Sequence, residues 1–286
     1  MIAVPAAVGV IGGGRMGAGI AQVFARAGSS VIVIERDDAS VAAARSRLQD
    51  GLAKAASHDR SMDAASVLAR VAVSENYAAL GGAELVIEAV PEVVAQKIAA
   101  LAEAERVIGA TAWLATNTSS LSLSGLAEAL QRPERFCGLH FFNPVPPSAL
   151  VEIVVTPRTA AELRARAEAW VAALGKTPIV VTDAPGFASS RLGAAIALEA
   201  MRMLEEGVAS AADIDSAMVL GYRHATGPLR TSDLVGLDVR LGIAEYLHQT
   251  LGERFAPPQI LRDKVAAGEL GRKSGRGFFD YSHVPG

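Results

Sequence analysis

The chain has 286 residues, 51% of them hydrophobic and 20% charged, and its formal net charge is −3. This length suffices for one large domain or two modest ones. The weakly negative charge without a basic run argues against a nucleic-acid partner, and the 5% aromatic content argues against base-stacking platforms.

Apolar runs in the chain fall short of the roughly 18–20 residues that cross a bilayer. Residues 1–5 lead straight into a predicted strand, so we expect no targeting segment and predict a cytoplasmic protein without a membrane partner. Cys137 is the single cysteine, which excludes an internal disulfide and a metal site built from several cysteines. We interpret it as a small buried residue, and we predict no metal.

A glycine-rich turn follows the first predicted strand, residues 8–11. Gly12, Gly14 and Gly17 fit the spacing G-x-G-x-x-G and precede an apolar helix predicted over 20–27. Gly12 would permit the tight turn, Gly14 would let a pyrophosphate approach the backbone, and Gly17 would let the helix pack on the strand. The helix N-terminus would offer its N–H groups to the phosphates, so the pattern predicts a dinucleotide site.

The second predicted strand, residues 30–34, ends at Glu35. An acidic residue at this position bonds the ribose hydroxyls and repels a 2′-phosphate, which favours NAD over NADP. Two alternatives remain. Glu35 could be an ordinary solvated strand end, and the adjacent Arg36 could pair with a 2′-phosphate.

Further strands and helices alternate along the first half. A polar helix is predicted over 37–56, and strands are predicted over 71–73 and 83–90. Pro91 and Glu92 then begin another predicted helix, which carries Lys97. Glu88 and Glu92 fall at the carboxyl end of a strand, where doubly wound sheets bind ligands.

Small polar residues follow the next predicted strand, residues 114–116. Asn117, Ser119 and their neighbours could place hydroxyl and N–H groups in the same crevice. Alternatively, Ser119 or Ser120 merely N-caps a helix predicted over 123–130, which on local grounds is at least as good an interpretation.

His140 lies on a predicted strand over 136–142, and Glu152 lies on another over 150–155. A neutral imidazole can accept a proton near pH 7, and a carboxylate on its far nitrogen would fix the tautomer and stabilise the charged form. These two residues alone favour a plainer interpretation, in which His140 is a core histidine and Glu152 a solvated charge. A helix over 160–174 and a strand over 178–181 complete the predicted sheet.

Strand patterns stop after residues 183–186, and helices are predicted over 187–206, 211–220, 239–251 and 259–267. The first of these helices carries a broad apolar stripe that would serve equally as core or as dimer face. The stripe consists of Phe187, Leu192, Ile196, Leu198, Met201 and Leu204.

Taken in order, these motifs resemble the 3-hydroxyacyl-CoA dehydrogenase family, particularly its short bacterial 3-hydroxybutyryl-CoA members. The resemblance runs nearly end to end. It rests on the glycine turn, residues 86–92, 117–121 and 140–144, Asp183 with Pro185-Gly186-Phe187, residues 213–215 and residues 271–278.

The resemblance implies an α/β fold in which a Rossmann-type NAD-binding domain, residues 1–184, precedes an all-α domain, residues 185–286. The second domain would carry the contact of a homodimer and part of the substrate cleft. The implied reaction is NAD-dependent oxidation of an (S)-3-hydroxyacyl-CoA thioester, or its reverse.

The resemblance also implies the roles of several residues. His140 would be the general base, oriented by Glu152, and Ser119 would bond the 3-oxygen of the substrate. The cofactor would meet Glu92, Lys97 and Asn117, and Lys54 lies on the helix that in the family contacts CoA.

The sequence departs from the family pattern at Ser190, where the family has an asparagine that helps to bind the substrate carbonyl. We expect Ser190 to keep part of that role, directly or through an ordered water, although it could simply pack the domain junction. Residues 223–228 also depart from the pattern, and His224 is interpreted as a local structural residue.

Two other functions stay open. The chain could be a related dehydrogenase of a free hydroxy acid, such as a sugar acid, because few basic residues lie on the 37–56 helix. It could also be a non-catalytic NAD-binding redox sensor, against which the intact set of Ser119, His140 and Glu152 argues.

If Glu35 selects NAD, kcat/KM should be higher with NADH than with NADPH, because a carboxylate at the ribose repels a 2′-phosphate. Steady-state kinetics with the two cofactors measures this directly. Equal or better use of NADPH would contradict the assignment, and Arg36 would then be the residue responsible.

Overall fold

Runs rich in valine and isoleucine form the strands of a single sheet in the computed structural model, which describes residues 4–282. The strands are β1 (Ala7–Ile11), β2 (Ser30–Ile34), β3 (Val71–Ser74), β4 (Leu85–Glu88), β5 (Trp113–Thr116), β6 (Phe136–Phe141), β7 (Leu150–Val155) and β8 (Thr177–Thr182). Their order within the described residues is β3-β2-β1-β4-β5-β6-β7-β8. The first six are parallel, β7 is antiparallel to β6, and β8 is parallel to β7.

The central strands β4, β5 and β6 are buried at every residue. Side chains on successive strand residues point to opposite faces, so both faces of the sheet are covered at this point. This explains why these strands consist almost entirely of apolar residues instead of alternating with polar ones. The fold is therefore the α/β, Rossmann-type arrangement that the sequence predicts.

The helices between the strands are α1 (Arg15–Arg26), α2 (Asp38–His58), α3 (Ala64–Leu68), α4 (Val94–Val107), α5 (Leu123–Ala127) and α6 (Ala161–Ala173). Helix α1 buries Ile20 and Phe24 in the core. Asp37 caps α2 by accepting a hydrogen bond from Ser40 N at 2.7 Å. A side-chain acceptor at this position satisfies one of the otherwise unpaired N–H groups of the first turn.

Some helix ends differ from the sequence prediction. Helix α1 begins at Arg15 rather than at residue 20, because its glycines serve close packing and do not break the helix: a Cβ on Gly19 would lie 2.7 Å from Val145 Cβ. Helix α4 begins at Val94, after Pro91 and Glu92.

Helix α5 is much shorter than the predicted 123–130, and its N-cap is Ser122 rather than Ser119 or Ser120. The carboxylate of Asp183 also accepts from Leu123 N and Ser124 N, at 3.1 and 2.8 Å. Because this acceptor comes from a distant part of the chain, local sequence gives no signal for it.

The loop after β6 is fixed by a buried ammonium group. Lys176 Nζ donates to the carbonyl oxygens of Val145 and Pro146, at 2.8 and 3.3 Å, and to that of Ser148. Burial lowers the pKa of Lys176, and the three carbonyls replace the lost water. The chain beyond the histidine strand is thus tied to the residue that precedes β8.

Cys137 is buried on β6, and burial raises the pKa of its thiol to about 12. The thiol therefore remains protonated near neutral pH, which removes its nucleophilic form. The interpretation of Cys137 as a small core residue is confirmed.

Among the described residues, 4–183 form one compact unit and 184–282 form a second. The helices of the second unit are α7 (Ser189–Glu205), α8 (Ala211–Ser216), α9 (Pro228–Val235), α10 (Leu237–Leu251) and α11 (Gln259–Ala266). Helix α9 has no counterpart in the sequence prediction. Asp215 caps it from the preceding helix, accepting from Leu229 N and Arg230 N at 2.8 and 2.9 Å.

The apolar stripe of α7 divides between core and surface. Leu198 and Met201 are fully buried in the second unit, whereas Leu192 and Ile196 are 63% and 38% exposed. Helix α9 and the start of α10 expose further large apolar side chains, namely Leu234, Val235 and Val239. Only part of the stripe is core, and the rest is solvent-facing apolar surface.

The C-terminal motif is tied down by Asp233. Its carboxylate accepts from Phe278 N and Phe279 N, each at 2.9 Å, and from the Tyr281 hydroxyl at 3.1 Å. A Cβ on Gly277 would lie 2.0 Å from Asp233 Oδ1, so the glycine is required by this contact. Among the described residues, no helix is both long and apolar enough to span a membrane.

Candidate active site

Polar side chains gather where the parallel strands end. Gly12 follows β1, Glu35 follows β2, Glu88 and Thr116 end β4 and β5, and His140 is the second-last residue of β6. Because these strands are parallel, all five positions lie at the carboxyl edge of one sheet. The strand order reverses between β1 and β4, and this is where doubly wound sheets bind ligands.

The three glycines have the geometry that a phosphate-binding turn requires. Gly12 has a φ of +91°, a conformation that side chains disfavour. A Cβ on Gly17 would lie 1.7 Å from the Gly12 carbonyl oxygen, whereas a Cβ on Gly14 would meet nothing within 4 Å. Gly17 is thus required by packing, and Gly14 faces open space in which a pyrophosphate could approach the N-terminus of α1.

Gly13 is a site residue that the motif alone does not single out. Its N–H donates to Glu35 Oε1 at 2.7 Å, and its carbonyl accepts from Arg47 Nη1 at 3.3 Å. A Cβ there would lie 2.6 Å from Ala44 Cβ on α2. In the sequence, the run of three glycines was the only indication that Gly13 belongs to the site, because Glu35 and Arg47 are far from it along the chain.

A cleft of about 910 Å³ opens at this edge, lined by Gly12, Gly14, Glu35, Arg36 and Val90 among others. Its size and its open glycine turn fit a dinucleotide, and Glu35 stands in its wall where a ribose would lie. The Arg36 side chain is 85% exposed and pairs with Asp37 at 3.1 Å. The Asp37 carboxylate therefore already accompanies the Arg36 charge, which could otherwise favour NADP.

A second cavity of about 690 Å³ lies between α1, α2 and the loop at 143–147. Its wall is rich in basic side chains: Arg15, Arg26, Arg47, Lys54 and His58. Asp50 and Asp59 also line it. Lys54, on α2, is therefore part of a pocket and not only of a solvated helix face.

Glu92 organises the loop after β5. Its Oε1 accepts from Ser119 N and Ser120 N at 3.0 and 3.2 Å, and from the Ser120 hydroxyl at 3.1 Å. It also accepts from the Thr118 hydroxyl, and the Ser119 Oγ lies 3.4 Å away. One carboxylate oxygen thus fixes the loop that carries Ser119.

Burial alone would raise the pKa of Glu92. The Lys97 ammonium and the hydrogen bonds from Thr118 and Ser119 outweigh burial, so the pKa lies below its ordinary value. Glu92 is therefore ionised at neutral pH and acts as an acceptor only.

Lys97 is almost fully buried behind this loop. Its Nζ lies 2.7 Å from Glu88 Oε1, 3.1 Å from the Val90 carbonyl and 3.2 Å from Glu92 Oε2. Three acceptors match the three donors of an ammonium group. Lys97 is thereby placed to hold the two carboxylates together.

Glu88, at the end of β4, is also fully buried. Its second oxygen accepts from Thr116 Oγ1 at 2.6 Å, which joins the ends of β4 and β5. Asn117 continues this connection, since its Oδ1 accepts from Phe141 N at 2.9 Å. The ends of β4, β5 and β6 are therefore linked by side chains as well as by the sheet.

His140 and Glu152 face each other directly across the antiparallel β6–β7 pair. His140 Nδ1 lies 2.7 Å from Glu152 Oε2, and the two side chains are 8% and 0% exposed. Glu152 is therefore not a solvated charge, which contradicts that half of the plainer interpretation, whereas His140 is buried as that interpretation expected. A buried carboxylate at this distance orients the imidazole ring by accepting a hydrogen bond from Nδ1.

Ser190 lies in the first turn of α7, in the second unit, and is partly exposed. His224 is exposed, and its backbone N–H bonds to the Met218 carbonyl at 3.1 Å.

The strand order, the glycine turn and the acidic residue after β2 define a dinucleotide-binding protein of the Rossmann class. The family model for the 3-hydroxyacyl-CoA dehydrogenase NAD binding domain matches residues 7–184, and the model for the C-terminal domain of the same family matches residues 186–281. The chain belongs to the 3-hydroxyacyl-CoA dehydrogenase family, and its cofactor is NAD.

Individual relatives are similar in sequence to nearly the whole chain. A 3-hydroxybutyryl-CoA dehydrogenase of Mycobacterium tuberculosis is 43% identical over 281 residues, covering 96% of this chain and 98% of the relative. A probable 3-hydroxybutyryl-CoA dehydrogenase of Bacillus subtilis is 39% identical, covering 95% and 96%. The crystal structure of (S)-3-hydroxybutyryl-CoA dehydrogenase from Ralstonia eutropha is similar with a TM-score of 0.92 at 38% identity, covering 97% of this chain and 99% of that one.

Replacing Glu92 with glutamine should make stability less dependent on pH. A carboxylate whose pKa is lowered by folding contributes stability that is present above its unfolded value of 4.5 and is lost as pH falls through the lower, folded value. At pH 7 we expect Glu92→Gln to lower the free energy of unfolding by about 1 kcal/mol, since the side chain is 37% exposed and partly screened.

Denaturant unfolding of both proteins from pH 7 to pH 3 measures this difference, which should shrink below pH 4.5. Glu168→Gln is the matched control, because Glu168 pairs with Arg164 on the surface of α6 at 3.0 Å. A stability difference that stays constant across this range would contradict the assigned charge network.

Proposed function

We propose that the chain catalyses the NAD-dependent oxidation of (S)-3-hydroxyacyl-CoA thioesters to 3-ketoacyl-CoA, or the reverse, with 3-hydroxybutyryl-CoA as its substrate. The observation that carries this proposal is the buried His140–Glu152 pair at the sheet edge that also carries the glycine turn. The names of the relatives supply the substrate class.

His140 would act as the general base. With Nδ1 bonded to Glu152 at 2.7 Å, the substrate hydroxyl would deliver its proton to Nε2. Glu152, fully buried, would stabilise the imidazolium that forms and would keep the ring in one orientation. NAD, when bound, accepts the hydride that leaves C3 of the substrate.

Ser119 would donate a hydrogen bond to the 3-oxygen. Glu92 supports this role by fixing the backbone of Ser119 and by accepting from its neighbours. A donor held in place before the substrate arrives stabilises developing charge without reorganising during the reaction. Glu92 and Lys97 are positioning residues in this proposal, and Asn117 would meet the cofactor from the adjacent strand end.

Lys54 would contact the CoA part of the substrate. It stands in the wall of the second cavity together with Arg15, Arg26 and Arg47. Phosphate groups carry several negative charges, and this wall supplies the matching cations. The basic cavity favours a CoA thioester over a free hydroxy acid, which needs no such surface.

Ser190 would keep part of the role of the family asparagine, donating one hydrogen bond directly or through an ordered water. Its place in the first turn of α7 leaves the side chain partly exposed.

The variant Ser190→Ala should lower kcat without changing thermal stability, and an unchanged kcat would assign the residue to packing alone.

The proposal also includes a homodimer in the cytoplasm. Leu192, Ile196 and Val239 expose apolar surface in the second unit, and exposed patches of this kind mark protein interfaces. A second copy of the chain would bury this surface, which light scattering can test as twice the monomer mass of 29.6 kDa. A reducing compartment suits the single cysteine.

The substrate is tested by a panel of kcat/KM values over acetoacetyl-CoA, longer 3-ketoacyl-CoA thioesters and free hydroxy acids. We expect the highest value for acetoacetyl-CoA. A preference for a free hydroxy acid would replace the thioester in the proposal, and binding of NADH without turnover of any compound would indicate a redox sensor.

His140 and Glu152 should behave as one unit. Loss of the general base in His140→Ala should lower kcat by about 10²–10⁴-fold. If Glu152 acts only through the histidine, Glu152→Gln should cost little more in the His140→Ala background, so the two effects should be strongly non-additive. Near wild-type turnover of His140→Ala with NADH still bound would refute the assignment.

A further inference from the structure

The side chain of Phe142 packs against the imidazole ring of His140. The centroids of the two rings are 4.6 Å apart, and the ring planes are inclined by 44°. This separation lies within the range of about 4.5–7 Å over which neighbouring aromatic rings attract each other. Side chains two residues apart along an extended chain point to the same side, which brings the two rings together where β6 ends. The proposed reaction assigns no role to Phe142.

The hydrogen bond to Glu152 leaves the imidazole ring some freedom to turn. The bond at Nδ1 is 2.7 Å long, and such a bond tolerates a range of angles because it weakens steeply only below about 120°. Rotation of a histidine ring about its Cβ–Cγ bond is also broadly permitted, in contrast to rotation between two tetrahedral carbons. Glu152 therefore fixes the place of Nδ1 better than it fixes the direction of Nε2.

We propose that Phe142 is a positioning residue, which restricts rotation of the His140 ring and thereby directs Nε2 toward the substrate hydroxyl. The inference rests on the proposed function, in which His140 is the general base. A turn of the imidazole about Cβ–Cγ would drive its atoms into the Phe142 ring on one side and break the contact on the other. Two contacts then orient the base, a hydrogen bond at Nδ1 and an aromatic ring packed on the imidazole.

The first test is Phe142→Ala in the whole protein, assayed by turnover of acetoacetyl-CoA with NADH. Misplacement of a group by about 1 Å can cost about 10²-fold in rate, and loss of one of two orienting contacts should cost less, so we expect kcat to fall about ten-fold. The KM for acetoacetyl-CoA and the Kd of NADH should stay within about two-fold of wild type, because a residue that touched either ligand would change them.

Two conservative variants separate the ring from its bulk. Phe142→Tyr keeps an aromatic ring at this position and should retain kcat within about two-fold of wild type. Phe142→Leu keeps apolar volume without a flat ring, and it should lose most of the kcat that Phe142→Ala loses. Phe142→Leu also decides the question if Phe142→Ala does not fold.

A double-mutant cycle tests whether Phe142 acts through the histidine. In the His140→Ala background, Phe142→Ala should change kcat by less than about two-fold, because the ring that it positions is already gone. A residue that merely supports the fold would lower kcat by the same factor in both backgrounds.

Phe141→Leu is the matched control. Phe141 is the adjacent residue on β6, is 2% exposed and belongs to the hydrophobic core, with its side chain on the opposite side of the strand from His140. This variant should lower the thermal stability of the protein and leave kcat unchanged.

The proposal is overturned if Phe142→Ala and Phe142→Leu keep wild-type kcat, if Phe142→Ala changes only KM or the Kd of NADH, or if Phe142→Tyr is as slow as Phe142→Ala. An additive cycle with His140→Ala, or an equal loss of kcat in Phe141→Leu, overturns it as well. If His140→Ala itself turns over acetoacetyl-CoA at the wild-type rate, the base in the proposed function is wrong and the inference falls with it. Failure of the inference alone leaves His140→Ala impaired, which distinguishes the two failures.

Discussion

The buried Lys97 ammonium is the interaction on which the rest of the site depends. It pairs with both Glu88, at the end of β4, and Glu92, in the segment that follows, close to where the strand order reverses. Burying the charges of Lys97 and Glu88 costs free energy unless each is paired and hydrogen-bonded, and here Thr116 supplies a further partner for Glu88 while the 118–120 loop donates to Glu92. One cation thereby joins β4, α4 and the end of β5, and it fixes the loop that carries Ser119.

The other polar pairs of the sheet edge follow the same principle. His140 and Glu152 are opposed across two strands whose backbone register already brings them together, so little side-chain freedom remains to be lost. The N–H group of Gly13 donates to Glu35, and the carbonyl group of Gly13 accepts from Arg47. Each pair lies in a setting from which water is partly excluded, where hydrogen bonds to charged groups are strong.

Carboxylates from distant parts of the chain complete many of the turns and helix starts. Asp183 binds the start of α5, Asp215 binds the start of α9, and Asp233 binds the C-terminal motif. Glu105 similarly accepts from Gln131 N and Arg132 N, each at 2.8 Å. Unpaired backbone N–H groups are costly when buried, and these acids satisfy two of them at a time. They also give Asp183 and Asp215, two residues of the family motifs, a structural role.

The sequence by itself determined the class of fold and the dinucleotide turn, because apolar periodicity and glycine spacing are local properties. The pairing of His140 with Glu152 followed from the resemblance to a family and not from these local patterns. The sequence could not decide whether Glu152 is solvated or buried, that Lys97 is enclosed by three acceptors, or that Ser122 and not Ser119 caps α5. It also gave no sign of α9, whose cap comes from Asp215. These features depend on groups far apart in the chain, and only the tertiary structure brings such groups within hydrogen-bond distance.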